Sequence, residues 1–328
     1  MKALILRFSS IGDIVLTTPV IRCLKQQAGA EVHFLSKQAF KNILTPNPYI
    51  DRVFSFQKNV SEVIPALKSE QYDLVIDLHH NLRSRWVRRQ LDRPSRAFKK
   101  LNFEKWLLVN TGIDRLPDMH IVQRYMATVA HLGVQYDGKG LDFFIPEGSD
   151  WRHSEQADKI PATPYIAFVL GATHATKRLP EEKIMDICSQ LQQPIVLLGG
   201  KSEIETGSRV ALAAGTQVID LCGKLSLYES ASVVRDAAVV LTHDTGLMHI
   251  AAAFQKTIVS VWGNTVPKFG MYPFYPTGMQ RNTSLEVLGL SCRPCSKIGY
   301  DRCPKGHFKC MQDIPTRRVI EQLTISKT

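Results

Sequence analysis

A chain of 328 residues, 44% hydrophobic and 22% charged, has the make-up of a soluble globular protein with room for two ordinary domains. It contains no run of about 18 apolar residues, which excludes a helical membrane span, and without an export signal its seven cysteines are expected to stay reduced in the cytosol. A net charge of +11 predicts anionic partners: nucleic acid, anionic lipid or an acidic glycan.

The first element, KALILRF (2–8), reads as a buried strand. Arg7 and the lack of a small-residue cleavage site set it apart from a signal peptide. DIVLTTPVIRCLKQQ (13–27) predicts a helix with its proline near the N-terminal turn. EVHFLS, RVFSF and DLVIDL (73–78) predict short strands, separated by helical stretches at 37–44 and 60–70. Between Arg83 and Lys105 stand Arg83, Arg85, Arg88, Arg89, Arg93, Arg96, Lys99, Lys100 and Lys105, against Asp92 and Glu104. Such a block is either a solvated helix face or a surface for a phosphate-rich or acidic partner. HIVQRYMATVAHLG (120–133) is an amphipathic helix closed by Gly133.

Residues 144–164 are polar and hold three prolines, the signature of a linker. Alternation then restarts: YIAFVLG (165–171), helix 180–192, PIVLLGG (194–200), helix 203–214, QVIDL (217–221), helix 227–236, AAVVLT (237–242), helix 246–254 and TIVSVW (257–262). Apolar strands alternating with helices predict parallel sheets covered on both faces. The expected architecture is α/β: two doubly wound Rossmann-like domains, 1–155 and 156–328, facing across a cleft.

Ligands of open parallel sheets bind beyond the carboxyl ends of the strands. Polar clusters stand at four such ends: SSIGD with Asp13; ATHATKRLP with Thr173, Thr176, Lys177 and Arg178; KSE with Glu203; and LTHDTGLMHIAAA (241–253). In the last, Asp244 or Thr245 can cap the following helix. The exposed amides can equally receive a phosphate. No G-x-G-x-x-G follows a strand and no G-x-x-x-x-G-K-[ST] occurs, which argues against a dinucleotide oxidoreductase and a P-loop NTPase.

Together, LRFSSIGDIVLTTPVIRCLK, GATHATKRLP, LLGGKSE, KLSLYESASVVRDAAVVLTHDTGLMHIAAAF and CRPCSKIGYDRCPKGHFKCMQDI resemble the bacterial ADP-heptose:lipopolysaccharide heptosyltransferases, from residue 1 to about 314. The resemblance implies a GT-B fold and inverting, metal-independent heptose transfer without a cofactor. The donor would be ADP-heptose and the acceptor an acidic lipopolysaccharide inner core, at the cytosolic face of the inner membrane and in contact with its anionic surface. It implies Asp13 as catalytic base, with Thr173 and Lys177 on the donor phosphates and Glu203 on the ribose. Leu225 would line the base pocket, and Asp244, Thr245, Gly246 and His249 would form the donor-binding turn, although His249 can also simply pack on its helix. Arg83 and Arg124 fall near positions that contact the acidic acceptor. Ala172 stands where some members carry a second threonine, so one phosphate contact is lost or replaced by backbone.

Two rival functions remain open on the sequence: another nucleotide sugar or glycolipid on the same fold, and a basic nucleic-acid-binding protein. The latter predicts aromatics interleaved with the charges. Around the block only Trp86, Phe98, Phe103 and Trp106 occur, with no module motif, so no nucleic-acid partner is expected. In the tail, Cys292, Cys295, Cys303, His307 and Cys310 form C-x2-C-x7-C-x3-H-x2-C, which is either a tetrahedral zinc site or a set of reduced packing cysteines.

Overall fold

The apolar runs near the N-terminus form a parallel sheet of five strands: β1 (Lys2–Leu6), β2 (Glu31–Lys37), β3 (Arg52–Phe56), β4 (Leu74–Asp77) and β5 (Ser95–Ala97). A second parallel sheet holds β6 (Ile166–Val169), β7 (Ile195–Leu198), β8 (Val218–Asp220), β9 (Val239–His243), β10 (Thr257–Trp262) and β11 (Asn282–Glu286). This computed structural model describes residues 1–324. The strand orders are β3-β2-β1-β4-β5 and β11-β10-β9-β6-β7-β8. In each sheet the chain winds outward from one central strand, then returns beside it and winds the other way. The two reversals fall between β1 and β4 and between β6 and β9, where Ala3 pairs with Leu74 and Ile166 with Val239. A doubly wound sheet opens a crevice at that reversal, and ligands bind there.

Central strands are buried on both faces, which is why β1, β4, β6, β7 and β9 read as continuous apolar runs. Leu4, Leu6, Phe8, Leu35, Phe56, Val75 and Val87 pack one face of the first sheet. Ile166, Phe168, Leu197, Leu241 and Val259 pack the second, covered by Met311, Val319 and Leu323 near the C-terminus. Among the described residues, no helix is long and apolar enough to cross a membrane.

The chain divides into two units, Met1–Leu101 with Met119–Phe144, and Asn102–Asp118 with Ile145 onward. The sequence reading places one boundary at 155; the contacts instead place one at 144 and assign 102–118 to the second unit. The helix Asn102–Thr111 carries the reason. Within the second unit, Lys105 lies over the Phe269 ring, and Asp114, beyond the helix, pairs with Lys268.

The expected helix 13–27 is two helices, Ile11–Val15 and Thr18–Ala28. Pro19 has no N–H to donate and clashes with a helical carbonyl one turn back, so it sits in the first turn of the second helix. The basic block likewise splits into the helix Leu82–Leu91, strand β5 and the start of Asn102–Thr111.

Arg22, on Thr18–Ala28, is 2% exposed. Its guanidinium reaches Asp137 through Nε (2.7 Å) and Nη2 (2.9 Å), the Gly140 carbonyl (2.9 Å), and Asp142. Burial alone lowers its pKa, and the two aspartates more than reverse that. Replacing Arg22 by Met leaves two half-buried carboxylates without their cation, so Arg22→Met should cost about 3–5 kcal/mol in urea unfolding. A loss within about 1 kcal/mol would mean that water replaces the arginine.

Candidate functional site

Polar groups gather at the reversal of each sheet. In the first unit the centre is Arg7, the charge that ends an apolar strand. Its Nε donates to the Ser9 carbonyl (2.8 Å), and its Nη1 to the Leu78 carbonyl (2.6 Å) and the Tyr125 hydroxyl (3.0 Å). Its Nη2 pairs with Asp13 Oδ1 at 2.6 Å. Asp13 is the third residue of Ile11–Val15, and its other oxygen accepts from the Ser10 amide (3.2 Å) and hydroxyl (2.9 Å). One carboxylate thus closes the helix start and faces a guanidinium.

Beside it, His79 follows β4 and packs at a tilt against Phe8, with ring centroids 4.7 Å apart. Burial, then the charges of Arg7, Lys100 and Arg83, lower its pKa to about 3, so the ring is neutral at pH 7. Asp77, fully buried, shapes this turn. Its Oδ1 accepts from the amides of His79 (3.1 Å) and His80 (2.7 Å), and its Oδ2 from Ser84 Oγ (2.8 Å). Of the two expected acceptor residues, Arg83 is exposed and lines a groove with Val60, Leu82 and Trp86. Arg124 is buried on the helix Ile121–Met126, and desolvation pushes it below the ordinary arginine range.

In the second unit, Lys177 Nζ pairs with Asp244 Oδ2 at 2.6 Å, and Thr265 Oγ1 donates to the same oxygen at 3.1 Å. Lys177 ends a 3-10 turn (Ala175–Lys177) after β6, while Asp244 directly follows β9. The alternative that Asp244 or Thr245 caps the next helix is not what forms. Thr245 occupies the N-cap of Gly246–Ala253 without a side-chain cap bond, and the Asp244 carboxylate is drawn to Lys177 and Thr265. The first-turn amides of this helix therefore receive no hydrogen bond from their N-cap side chain. His249 is buried within that helix, whereas Thr245 and Gly246 are half-buried at its mouth.

Glu203 lies at the carboxyl end of β7, buried. It accepts from the Gly200 amide (2.8 Å) and Ser202 Oγ (2.7 Å) and pairs with Arg178 Nη1 (3.1 Å). A Cβ on Gly199 would stand 2.6 Å from Glu203 Cβ, and one on Gly171 would stand 2.9 Å from Glu203 Oε2. The strand ends are glycine because this carboxylate leans on them. Thr173 is exposed and Leu225 half-buried, each on a loop next to these elements.

The tail is pinned to this site. The Thr176 amide donates to the Tyr300 carbonyl (3.1 Å), and the Tyr300 amide to Thr176 Oγ1 (2.8 Å). Arg293, nearly buried, donates to the carbonyls of Gly263 (2.5 Å) and Thr265 (2.9 Å) and pairs with Glu286. Cys292 Sγ and His307 Nε2 lie 3.7 Å apart. Cys295 and Cys310 each feel Cys292 and Cys303, so the four cysteines gather near His307, although no three of their ligand atoms come within 4.8 Å of one another. Among the described residues, three ligand atoms come within 4.8 Å of one another at Glu31, His33 and Glu70 alone, and there Lys2 Nζ already lies 2.8 Å from Glu70.

The sequence profile of glycosyltransferase family 9 (heptosyltransferase) matches residues 60–300, well over half of the chain. The chain belongs to glycosyltransferase family 9. It is a glycosyltransferase. Lipopolysaccharide heptosyltransferase 1 of Pseudomonas aeruginosa is 28% identical over 320 residues, covering 90% of this chain and 86% of that protein. Two solved structures share the fold. The ADP-heptose lipopolysaccharide heptosyltransferase II of Escherichia coli has a TM-score of 0.73 and 20% identity, over 98% of this chain and 97% of that one. A family 9 glycosyl transferase from Veillonella parvula has a TM-score of 0.76 and 22% identity, over 98% and 95%. Both therefore extend over both sheets, as expected of the two Rossmann-like domains.

Reading strand ends alone missed several groups. Arg7 was visible as the one charge in an apolar run, yet its partners Leu78 and Tyr125 come from far along the chain. His243 also lay within view, closing β9; it is fully buried, and its Nε2 accepts from the Leu179 amide at 3.0 Å. Burial lowers its pKa to about 4. The unfolded ring takes a proton at about pH 6.5, so the folded state binds fewer protons between those values. Stability from neutral His243 is complete above that range and is lost as pH falls towards 4, by about 3 kcal/mol. Urea unfolding at pH 7 and pH 4.5 reads this loss, and His243→Gln should flatten the slope. An unchanged slope would place the acid sensitivity elsewhere.

Proposed function

We propose that this glycosyltransferase moves a heptose from ADP-heptose to an acidic lipopolysaccharide inner-core acceptor, with inversion at the anomeric carbon. The observation that carries the reading is the Lys177–Asp244–Thr265 cluster at the reversal of the second sheet, beside first-turn amides that the N-cap side chain does not bind. A cation and first-turn amides suit a diphosphate. The named relatives, acting on lipopolysaccharide with heptose, supply the sugar and the acceptor.

In this reading the second unit holds the donor, with Lys177, Thr173 and the Asp244–Thr245–Gly246 turn at the phosphates, Glu203 at the ribose and Leu225 at the base. His249 backs the turn from inside its helix. The first unit holds the acceptor, with Arg83 on its acidic groups and Arg124 supporting from within. The acceptor hydroxyl attacks the anomeric carbon. A new C–O bond forms as the bond to the phosphate oxygen breaks, and ADP leaves with the electron pair. The proton passes to the Asp13 carboxylate. Lys177 and the amides stabilise the charge growing on the departing phosphate, so no metal or other cofactor enters the step. The +11 charge fits an anionic acceptor at the cytosolic face of the inner membrane, with no role for nucleic acid.

The test is transfer from ADP-heptose to deacylated inner core, with UDP-hexoses as competing donors and NMR of the product's anomeric configuration. Retention, or preference for a hexose, would overturn the reading. Lys177→Ala should weaken ADP binding by about 10- to 100-fold in calorimetric titration, since a charge-assisted phosphate contact is worth about 1.5–3 kcal/mol. Unchanged affinity would make Lys177 a partner of Asp244 and nothing more.

Asp13→Asn retains the shape and removes the basic oxygen. Turnover should fall by about 10²–10⁴-fold with near-normal ADP affinity. Turnover within a few-fold of wild type, or a much earlier melt, would leave Asp13 as the partner of Arg7 and Ser10.

A further inference from the structure

Lys177 stands on a single 3-10 turn, Ala175–Lys177, in the stretch between β6 and the helix Glu181–Gln190. A lysine carries its charge on a flexible four-carbon stem, so a site that relies on one must fix the backbone beneath it. The fixing residue is its neighbour. Thr176 is 2% exposed, and its amide and Oγ1 both donate to the Tyr300 carbonyl, each at 3.1 Å. Oγ1 also accepts from the Tyr300 amide at 2.8 Å, and the Thr176 carbonyl accepts from the Asn264 amide at 3.4 Å.

Tyr300 takes part through its backbone alone, so the shape of the tail at that point matters. Ser296 Oγ sets this shape by accepting from the amides of Ile298 and Gly299, each at 3.0 Å. Gly299 has φ +138°, and a Cβ there would lie 2.5 Å from His174 Cβ. His174 and Thr176, alternate residues of the loop after β6, therefore stand against consecutive residues of the tail. Another tail residue holds the far side of the same cluster. Arg293 Nη2 donates to the Thr265 carbonyl at 2.9 Å, and Thr265 Oγ1 donates to the Asp244 oxygen that pairs with Lys177. The stretch from Arg293 to Tyr300 lies in neither helix nor strand. Its polar groups go instead to the backbone on both sides of Asp244.

We propose that the tail segment Arg293–Tyr300 is a clamp on the diphosphate site, and that Thr176 is the positioning residue through which it sets Lys177. This rests on the donor reading of Lys177 above and adds what holds that cation in place. Without the Thr176 hydroxyl, Lys177 keeps its charge while its turn loosens. Ordering the turn then falls on the ligand, which weakens binding.

The test uses the full chain and three variants, with ADP as the titrated probe. Thr176→Val keeps the shape and removes both hydroxyl bonds. Amide hydrogen exchange in the peptide 172–179 should become faster, and ADP affinity should fall about 3- to 10-fold, the worth of one neutral hydrogen bond. Thr176→Ser should restore both readings. In a Lys177→Ala background, Thr176→Val should change ADP affinity by less than about 2-fold, because Thr176 acts through Lys177. A merely structural threonine would cost the same in both backgrounds. That result overturns the proposal, as does unchanged exchange, or a looser loop with unchanged ADP affinity. If Thr176→Val does not fold, Gly299→Ala carries the same test by setting a Cβ against His174, and unchanged affinity there is equally fatal. Lys177→Ala alone separates the two readings. Unchanged ADP affinity in that variant fails the donor reading, whereas weakening there with none in Thr176→Val fails the clamp alone.

Discussion

One buried guanidinium organises the first unit. Arg7 spends its donors on two backbone carbonyls, a tyrosine hydroxyl and a carboxylate, which come from β1's own end, the end of β4, the helix Ile121–Met126 and the helix Ile11–Val15. Each of those groups would otherwise need its own partner in a nearly water-free place. A strand that carries a charge into its last turn therefore fixes where four elements meet. The carboxylate with the clearest chemical use, Asp13, is held by the same contact. Its geometry is set by the fold, which is the pre-organisation that the proposed role as base would require.

The second unit solves the same problem with carboxylates. Glu203 and Asp244 each sit at a strand end, each with a cation and a hydroxyl beside it. Glu203 itself is nearly sealed, with glycines cleared on two sides, but its partner Arg178 is 31% exposed, more than Lys177 at 16% or Asp244 at 14%. Each pair thus keeps a member open to solvent, and the proposed donor site requires of each that it exchange a partner for a ligand oxygen. In the proposed donor site Lys177 is a cation compensated by Asp244 until a phosphate enters.

Legibility followed burial. Strands covered on both faces announced themselves as apolar runs, and all nine expected strands form at or within a residue or two of their predicted ends. Both edge strands that escaped notice, β5 with Ser95–Ala97 and β11 with Asn282–Glu286, are short or polar, because an edge has less to bury. The split before Pro19 is legible in the proline itself, whereas the place of 102–118 in the other unit is not, since NFEKWLLVNT reads as a helix wherever it docks. Among the site residues, strand-end position marked Asp13, Lys177, Glu203 and Asp244. Their partners Arg7, Arg178 and Thr265 depend on which loops meet, and the partner of a polar group is a tertiary fact.

The crossing of the chain between units has a practical side. The segment from Asn102 to Asp118 leaves the first unit, contributes Lys105 and Asp114 to the second, and returns before Met119. The linker near 145 looks like a natural seam for exchanging halves between related enzymes. A hybrid cut there would carry one parent's helix against the other parent's Phe269 and Lys268, so functional recombination needs two further junctions, flanking 102 and 118.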